Sequence, residues 1–170
     1  MISKKIDQAI NDQIKLEEQS SRIYMAMASW CGVNGFPGAA KFLYTHSDEE
    51  RMHMLKFVHF LNDRNGHSVL QQVEQPKAEY SSIKELFDEV LKHEQLVSSR
   101  INELVDLCLQ EKDHTTNNFL QWFVTEQIEE ESLVQDIVDK IKLLGESRGG
   151  YFHIDMYLSG LADAEAAAEE

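Results

Sequence analysis

Only two prolines, at 37 and 76, and only two cysteines, Cys31 and Cys108, occur in the 170 residues. Scarce proline leaves long stretches free to hold helices. The cysteines are far apart and form no CxxC pair, so neither a disulfide framework nor a tetrahedral sulfur site for a metal is expected. They read as free thiols in a reducing compartment, packed as small hydrophobes. No apolar run approaches the length of a membrane span. The opening MISKKIDQAI has lysines without a continuous apolar stretch behind them, so the expectation is no signal peptide and a cytoplasmic protein. Basic residues are also short: 16 Lys and Arg stand against 30 Asp and Glu, a formal charge of −14. That balance argues against nucleic acid and anionic membranes as partners and is compatible with drawing in cations. On charge alone, solubility is the simpler reading.

What is present is helical periodicity. The first helix is expected from about Lys4 to Cys31, with the seam Ile6, Ile10, Ile14, Glu17, Ser21, Tyr24 and Ala28. GVNGFPG breaks it, and Pro37 leads a second helix to about Asn65, stopped by Gly66. A third opens at Ser82, paired with Glu85 in a capping box, and runs to about Gln110. A fourth is expected from about Asn117 to Leu144 after an EKDHTT turn. The amphipathic piece YFHIDMYLSGL follows, and the acidic stretch 162–170 is expected to fray. Helices of about 28 residues are ~42 Å long. The linker between the second and third, about 16 residues, reaches up to ~50 Å when extended, enough to travel the length of a helix. The expected fold is all-α: one domain over residues 1–170, a four-helix bundle with one long crossover and a short C-terminal fifth helix.

Each of the four seams is interrupted by groups that belong in water. Glu17 lies between Ile14 and Tyr24, and Glu50 with His53 lies between Leu43 and Phe57. Glu94 lies between Leu91 and Ile101, and Gln127 with Glu130 lies between Phe123 and Val134. Glu17 to Glu50 and Glu94 to Gln127 are both separations of 33 residues. The chain therefore looks like two related hairpins, each giving one residue from its first helix and an i, i+3 pair from its second. All six groups should converge at mid-height. Four carboxylates in a dry core cannot all stay charged without a counter-charge, which a pair of divalent cations supplies. The oxygen-rich set with one histidine suits iron or manganese better than copper. Dimetal carboxylate bundles use single glutamates from two helices and Glu-x-x-His from each of the other two. This chain keeps Glu50-x-x-His53 but has Gln127-x-x-Glu130 in the second position.

At these residues a family resemblance appears. Glu17, Tyr24, EERMHM, KHEQL, NFLQWF and EQIEEE resemble the matching segments of bacterial non-haem ferritins, and the likeness covers Ile6 to Leu161. The resemblance implies a ferritin-like homo-oligomer, a hollow shell of 24 copies that oxidises Fe(II) with dioxygen or peroxide and stores ferric mineral. It implies that Glu17, Glu50, His53 and Glu94 build a first iron site. Glu50, Glu94, Glu130 and Gln127 build or border a second, with a glutamate bridging. Glu49, Glu126, Glu129 and Glu130 match a third, more exposed site, and Tyr24 matches a tyrosine involved in electron transfer.

Departures narrow the resemblance. Arg51 stands where haem-binding bacterioferritins carry the axial methionine, and no second Glu-x-x-His occurs, so no haem is expected. Asn117, Asn118 and Leu120 replace the acidic residues that line three-fold pores in animal ferritins. His46, seven residues before His53, is read either as a support to the centre or as packing. His59, His67, His93, His114 and His153 read as surface or loop, and Trp122 and Met52 as packing. The rival function is a di-iron oxidoreductase or peroxidase with a fixed metal pair, which a second Glu-x-x-His or a cysteine-rich electron-transfer domain would favour. A metal-free interaction bundle calls for apolar residues at positions 17, 94 and 130, where this chain has glutamates.

Overall fold

A computed structural model gives the fold and describes residues 2–145 and 147–168. Five helices follow in order: α1 (Lys4–Val33), α2 (Pro37–Asp63), α3 (Ile83–Glu111), α4 (His114–Leu144) and α5 (Arg148–Ala168). Local chemistry sets most of their ends. Ser3 caps α1 by accepting from the Ile6 amide, and Ser82 caps α3 by accepting from the Glu85 amide at 3.1 Å. Glu85 completes the cap by accepting from the backbone of Ser81 at 2.7 Å, one residue before the one the sequence pattern indicates. Pro37 occupies the first turn of α2, where its missing N–H costs nothing.

Two ends differ from expectation. The fourth helix begins three residues early because Asp113 caps it, accepting from the Thr116 amide at 3.0 Å. EKDHTT is therefore mostly helix, and the turn is confined to Lys112, in the left-handed region at φ 57°, and Asp113. The fifth helix continues to Ala168, past the point where an acidic tail was expected to fray, because its alanines extend the helix readily. Residues 169 and 170 of that tail lie outside the described residues.

The short turns pair α1 with α2 and α3 with α4 as antiparallel hairpins. The crossover, residues 64–82, climbs α1. The Val69 amide donates to Asn11 at 2.6 Å, the Glu74 amide donates to Gln19 at 2.7 Å, and Tyr80 meets Trp30 edge-on at 5.6 Å. From Asn11 to Trp30 is about 28 Å of helix at 1.5 Å per residue. α5 packs on α2.

The core falls into two apolar clusters. One gathers Tyr24, Phe42, Phe87, Val134, Ile137 and the buried side of α5. The other, toward the opposite end, gathers Ile6, Ile10, Ile14, Phe57, Leu61, Ile101 and Phe123. Between them lies a buried polar layer: Glu17, Glu50, His53, Glu94 and Gln127. Among the described residues no helix is long and apolar enough to cross a membrane.

Candidate metal centre

Each helix delivers its polar residue to the same level because the seams are in register. Ligand atoms of Glu17, Glu50 and His53 all lie within 4.8 Å of one another. His53 Nδ1 stands 3.5 Å from Glu50 Oε2. One turn before Glu17, Gln13 donates to its Oε1 at 2.7 Å and fixes that carboxylate. One oxygen each of Glu17, Glu50 and Glu130 is sealed from solvent and accepts no hydrogen bond from the described residues. A buried carboxylate oxygen left this way costs several kcal/mol unless a cation answers it.

The second hairpin is arranged differently. The Tyr24 hydroxyl donates to Glu94 Oε1. Gln127 Nε2 donates to Glu94 Oε2 at 3.1 Å and to the Glu94 carbonyl at 3.3 Å. Glu130, its side chain 12% exposed, lies 3.5 Å from His46 Nε2, while His46 Nδ1 lies 3.6 Å from Glu49. His46, Glu49 and Glu130 thus form a second group whose ligand atoms fall within 4.8 Å of one another. Glu126 reaches His53 Nε2 at 4.0 Å, and Glu129 is exposed and in neither group. Of the four residues that resemblance assigned to a third site, Glu49 and Glu130 share this group with His46, which sits between them, and Glu126 feels the charges of Glu130 and Glu129. It also packs on Phe42, with ring centroids 4.0 Å apart, so both readings of His46 describe it.

Electrostatics follow from this crowding. Burial, and then the Glu50 charge, push Glu17 well above the usual carboxylate range. Burial followed by Glu94 does the same to Glu50. Burial and the neighbouring Glu130 raise Glu94 to about 7. For Glu130, burial acts upward but is overcome by the close approach of the His46 imidazole, and the group ends below its ordinary value. Burial and the charges of Glu94 and Glu50 hold the Tyr24 phenol well above its usual value. Burial and mutual repulsion thus favour the protonated forms of Glu17, Glu50 and Glu94, whereas Glu130 is held toward its charged form.

Other residues settle less simply. His93 is half-buried, hydrogen-bonded to Ser20 at 2.7 Å and edge-on to Tyr24 at 5.8 Å, so it is not the surface residue its position suggested. Its partners lie on α1, and no periodicity within α3 reveals them. Trp122 is 40% exposed, meets the His53 ring edge-on at 5.4 Å and carries Lys56 Nζ 3.2 Å from its ring centre. Leu120 is fully buried in the core, so of the three positions compared with pore residues only Asn117 and Asn118 reach the surface. Cys31 and Cys108 are buried free thiols, and burial pushes Cys31 up to about 12.

Two antiparallel hairpins that close a carboxylate–histidine layer at mid-height define the class of carboxylate metal bundles. A protein-family model described as Ferritin-like domain matches residues 7–144, and the chain belongs to the ferritin family. It is 42% identical over 162 residues to a bacterial non-heme ferritin of Campylobacter jejuni, covering 95% of this chain and 97% of the relative. It is 44% identical over 161 residues to a bacterial non-heme ferritin of Escherichia coli O157:H7, covering 95% and 98%. An open pore ferritin from Archaeoglobus fulgidus superposes with a TM-score of 0.92 at 41% identity, over 94% of this chain and 98% of that one.

Proposed function

We propose that the protein stores and detoxifies iron, oxidising Fe(II) to Fe(III) within each bundle and holding the ferric product inside a shell of 24 identical subunits. The observation that carries this reading is the set of three sealed carboxylate oxygens on Glu17, Glu50 and Glu130, which accept no hydrogen bond from the described residues. A pair of divalent cations answers them. Glu17, Glu50 and His53 hold one Fe(II). Glu50, Glu94 and Glu130 hold the other, with Gln127 at its border. Glu50 feels the charges of Glu17, Glu94 and Glu130, which fits it to bridge.

Anionic oxygen ligands stabilise Fe(III) over Fe(II), because the higher charge gains more from them. Two Fe(II) ions side by side give up one electron each. With two protons, dioxygen then leaves as hydrogen peroxide; with peroxide as oxidant, the products are two waters. Tyr24, already donating to Glu94, is placed to relay a further electron. Glu49, Glu126, Glu129 and His46 form an acidic margin through which iron leaves the pair. The neutral Gln127, standing where a second Glu-x-x-His would begin, keeps the second position weak, so iron passes through as substrate. Exposed apolar residues such as Val33, Leu70 and Phe152 support burial against other subunits. Two buried thiols suit a reducing, cytoplasmic setting.

Stepwise aerobic addition of Fe(II) to the metal-free protein tests the reading. Retention of hundreds of ferric ions in a soluble particle far larger than one chain is expected. Uptake that stops near two ions per chain replaces storage with a fixed di-iron oxidoreductase.

A further inference from the structure

We propose that Ser98 and Glu131 are positioning residues that keep the Gln127 amide turned nitrogen-inward, so that Gln127 restrains Glu94 and does not ligate the metal. The inference rests on the reading of Glu94 and Glu130 as the second cation position.

Ser98 stands one turn beyond Glu94 on α3, and Glu131 stands one turn beyond Gln127 on α4. Both pairs therefore sit on matching faces in the same register. Ser98 Oγ donates to Glu131 Oε1. A carboxylate only accepts, so the single serine proton is committed outward and Oγ presents a lone pair inward. Gln127 Nε2 lies 3.3 Å from that oxygen. The same nitrogen has Glu94 Oε2 at 3.1 Å and the Glu94 carbonyl at 3.3 Å. Three acceptors thus surround the amide nitrogen. Turning the amide over sets its carbonyl oxygen against all three, which is repulsive.

Packing does not impose this orientation. A crevice of about 120 Å³ between α3 and α4 is lined by Ser98, Asn102, Gln127 and Glu131, and an amide's nitrogen and oxygen are so alike in size that packing does not choose between them. Hydrogen bonding selects the orientation, and the selection starts at the crevice mouth with the Glu131 carboxylate. The consequence is chemical. A hard cation takes an amide through its carbonyl oxygen, and Ser98 with Glu131 turns that oxygen away from Glu94. The second position loses a ligand and gains a tether on Glu94.

The test is an anaerobic Co(II) titration of the intact, metal-stripped protein, followed by visible absorption, with Ser98→Ala, Glu131→Gln and Ser98→Thr. Once the ion engages Glu94 Oε2, Ser98→Ala leaves the amide nitrogen only the Glu94 carbonyl as acceptor, and Gln127 turns its own carbonyl toward the ion. Ser98→Ala should bind the second Co(II) about tenfold tighter, with an altered spectrum, an effect in the range of substitutions that support metal ligands. Glu131→Gln should move both readouts in the same direction, and Ser98→Thr should restore the parent behaviour. Glu131→Gln changes only the crevice mouth, so it keeps the test decisive if Ser98→Ala melts early. Unchanged affinity and spectrum in Glu131→Gln and Ser98→Ala, or a Ser98→Thr that behaves like alanine, overturns the proposal. A parent protein that fails to take up two Co(II) per chain overturns the metal-pair reading itself, and that failure shows without any variant.

Discussion

Glu50 is the residue where the demands of folding and function conflict most directly. It is buried beside Glu94 and Glu130, and its charged form is disfavoured accordingly. Glu50→Gln should therefore stabilise the metal-free protein by about 1 kcal/mol, the scale of relief common at strained functional positions. It should also slow Fe(II) oxidation by about 100-fold through loss of the shared ligand. Thermal unfolding and stopped-flow oxidation measure the two halves. Glu94 sets one window of the pH dependence, beside Glu17 and Glu50, which are raised as well. Its folded value of about 7 exceeds its ordinary 4.5, so the empty folded chain binds more protons than the unfolded chain between these limits. Stability of the metal-free protein should fall as pH rises through that window, and metal binding at pH 6 should release more protons than at pH 8. Calorimetry in two buffers of different ionisation enthalpy reads that release. Six positions of the polar layer could be singled out in the sequence because a carboxylate, imidazole or amide interrupting an apolar stripe is visible without coordinates. The role of His93 was not visible, because Ser20 and Tyr24 belong to another helix. Glu49 is a local i, i+3 partner of His46, but that His46 would also face Glu130 depends on how α4 is rotated in the bundle, and no local pattern encodes that.

At the scale of elements, the start of α2 depends on a distant partner. Phe36 offers no side-chain cap, and Asp155 of α5 supplies one by accepting from the Ala39 amide at 2.9 Å. This requires close approach: a Cβ added at Gly38 lies 2.0 Å from the Asp155 carbonyl oxygen. Gly38→Ala should push α5 off α2 and cost about 1–3 kcal/mol, the usual range for overpacking. Thermal unfolding measures the loss, and faster proteolysis within α5 locates it. The proposed metal centre, about three helical turns along α2 at Glu50, should keep its metal stoichiometry. Caps built from neighbouring residues, such as Ser82 with Glu85, were legible in the sequence. Asp113 was not, because a polar EKDHTT reads equally well as a loop and as a capped helix start. Asp155 lies 116 residues from the amide it caps, and nothing near Ala39 announces it.

The whole molecule is two apolar cores joined across a layer of acids. Cations that bind this layer in the folded chain stabilise it by mass action, by about 2.7 kcal/mol at one hundred times the dissociation constant. Zn(II), which cannot be oxidised, should raise the melting temperature of the parent protein and barely shift that of Glu50→Gln. The crossover was expected from its length alone, but its hold on α1 through Asn11 and Gln19 required the fold to be seen. The acid layer also reverses an ordinary gradient. In most helical bundles amide hydrogens exchange slowest at the centre and fastest toward the ends. Here the empty bundle should breathe at its waist, with slow exchange confined to the apolar thirds on either side. Ions that bind there should then tighten the region they occupy, so that the rigidity of the chain would become a record of how much metal is at hand.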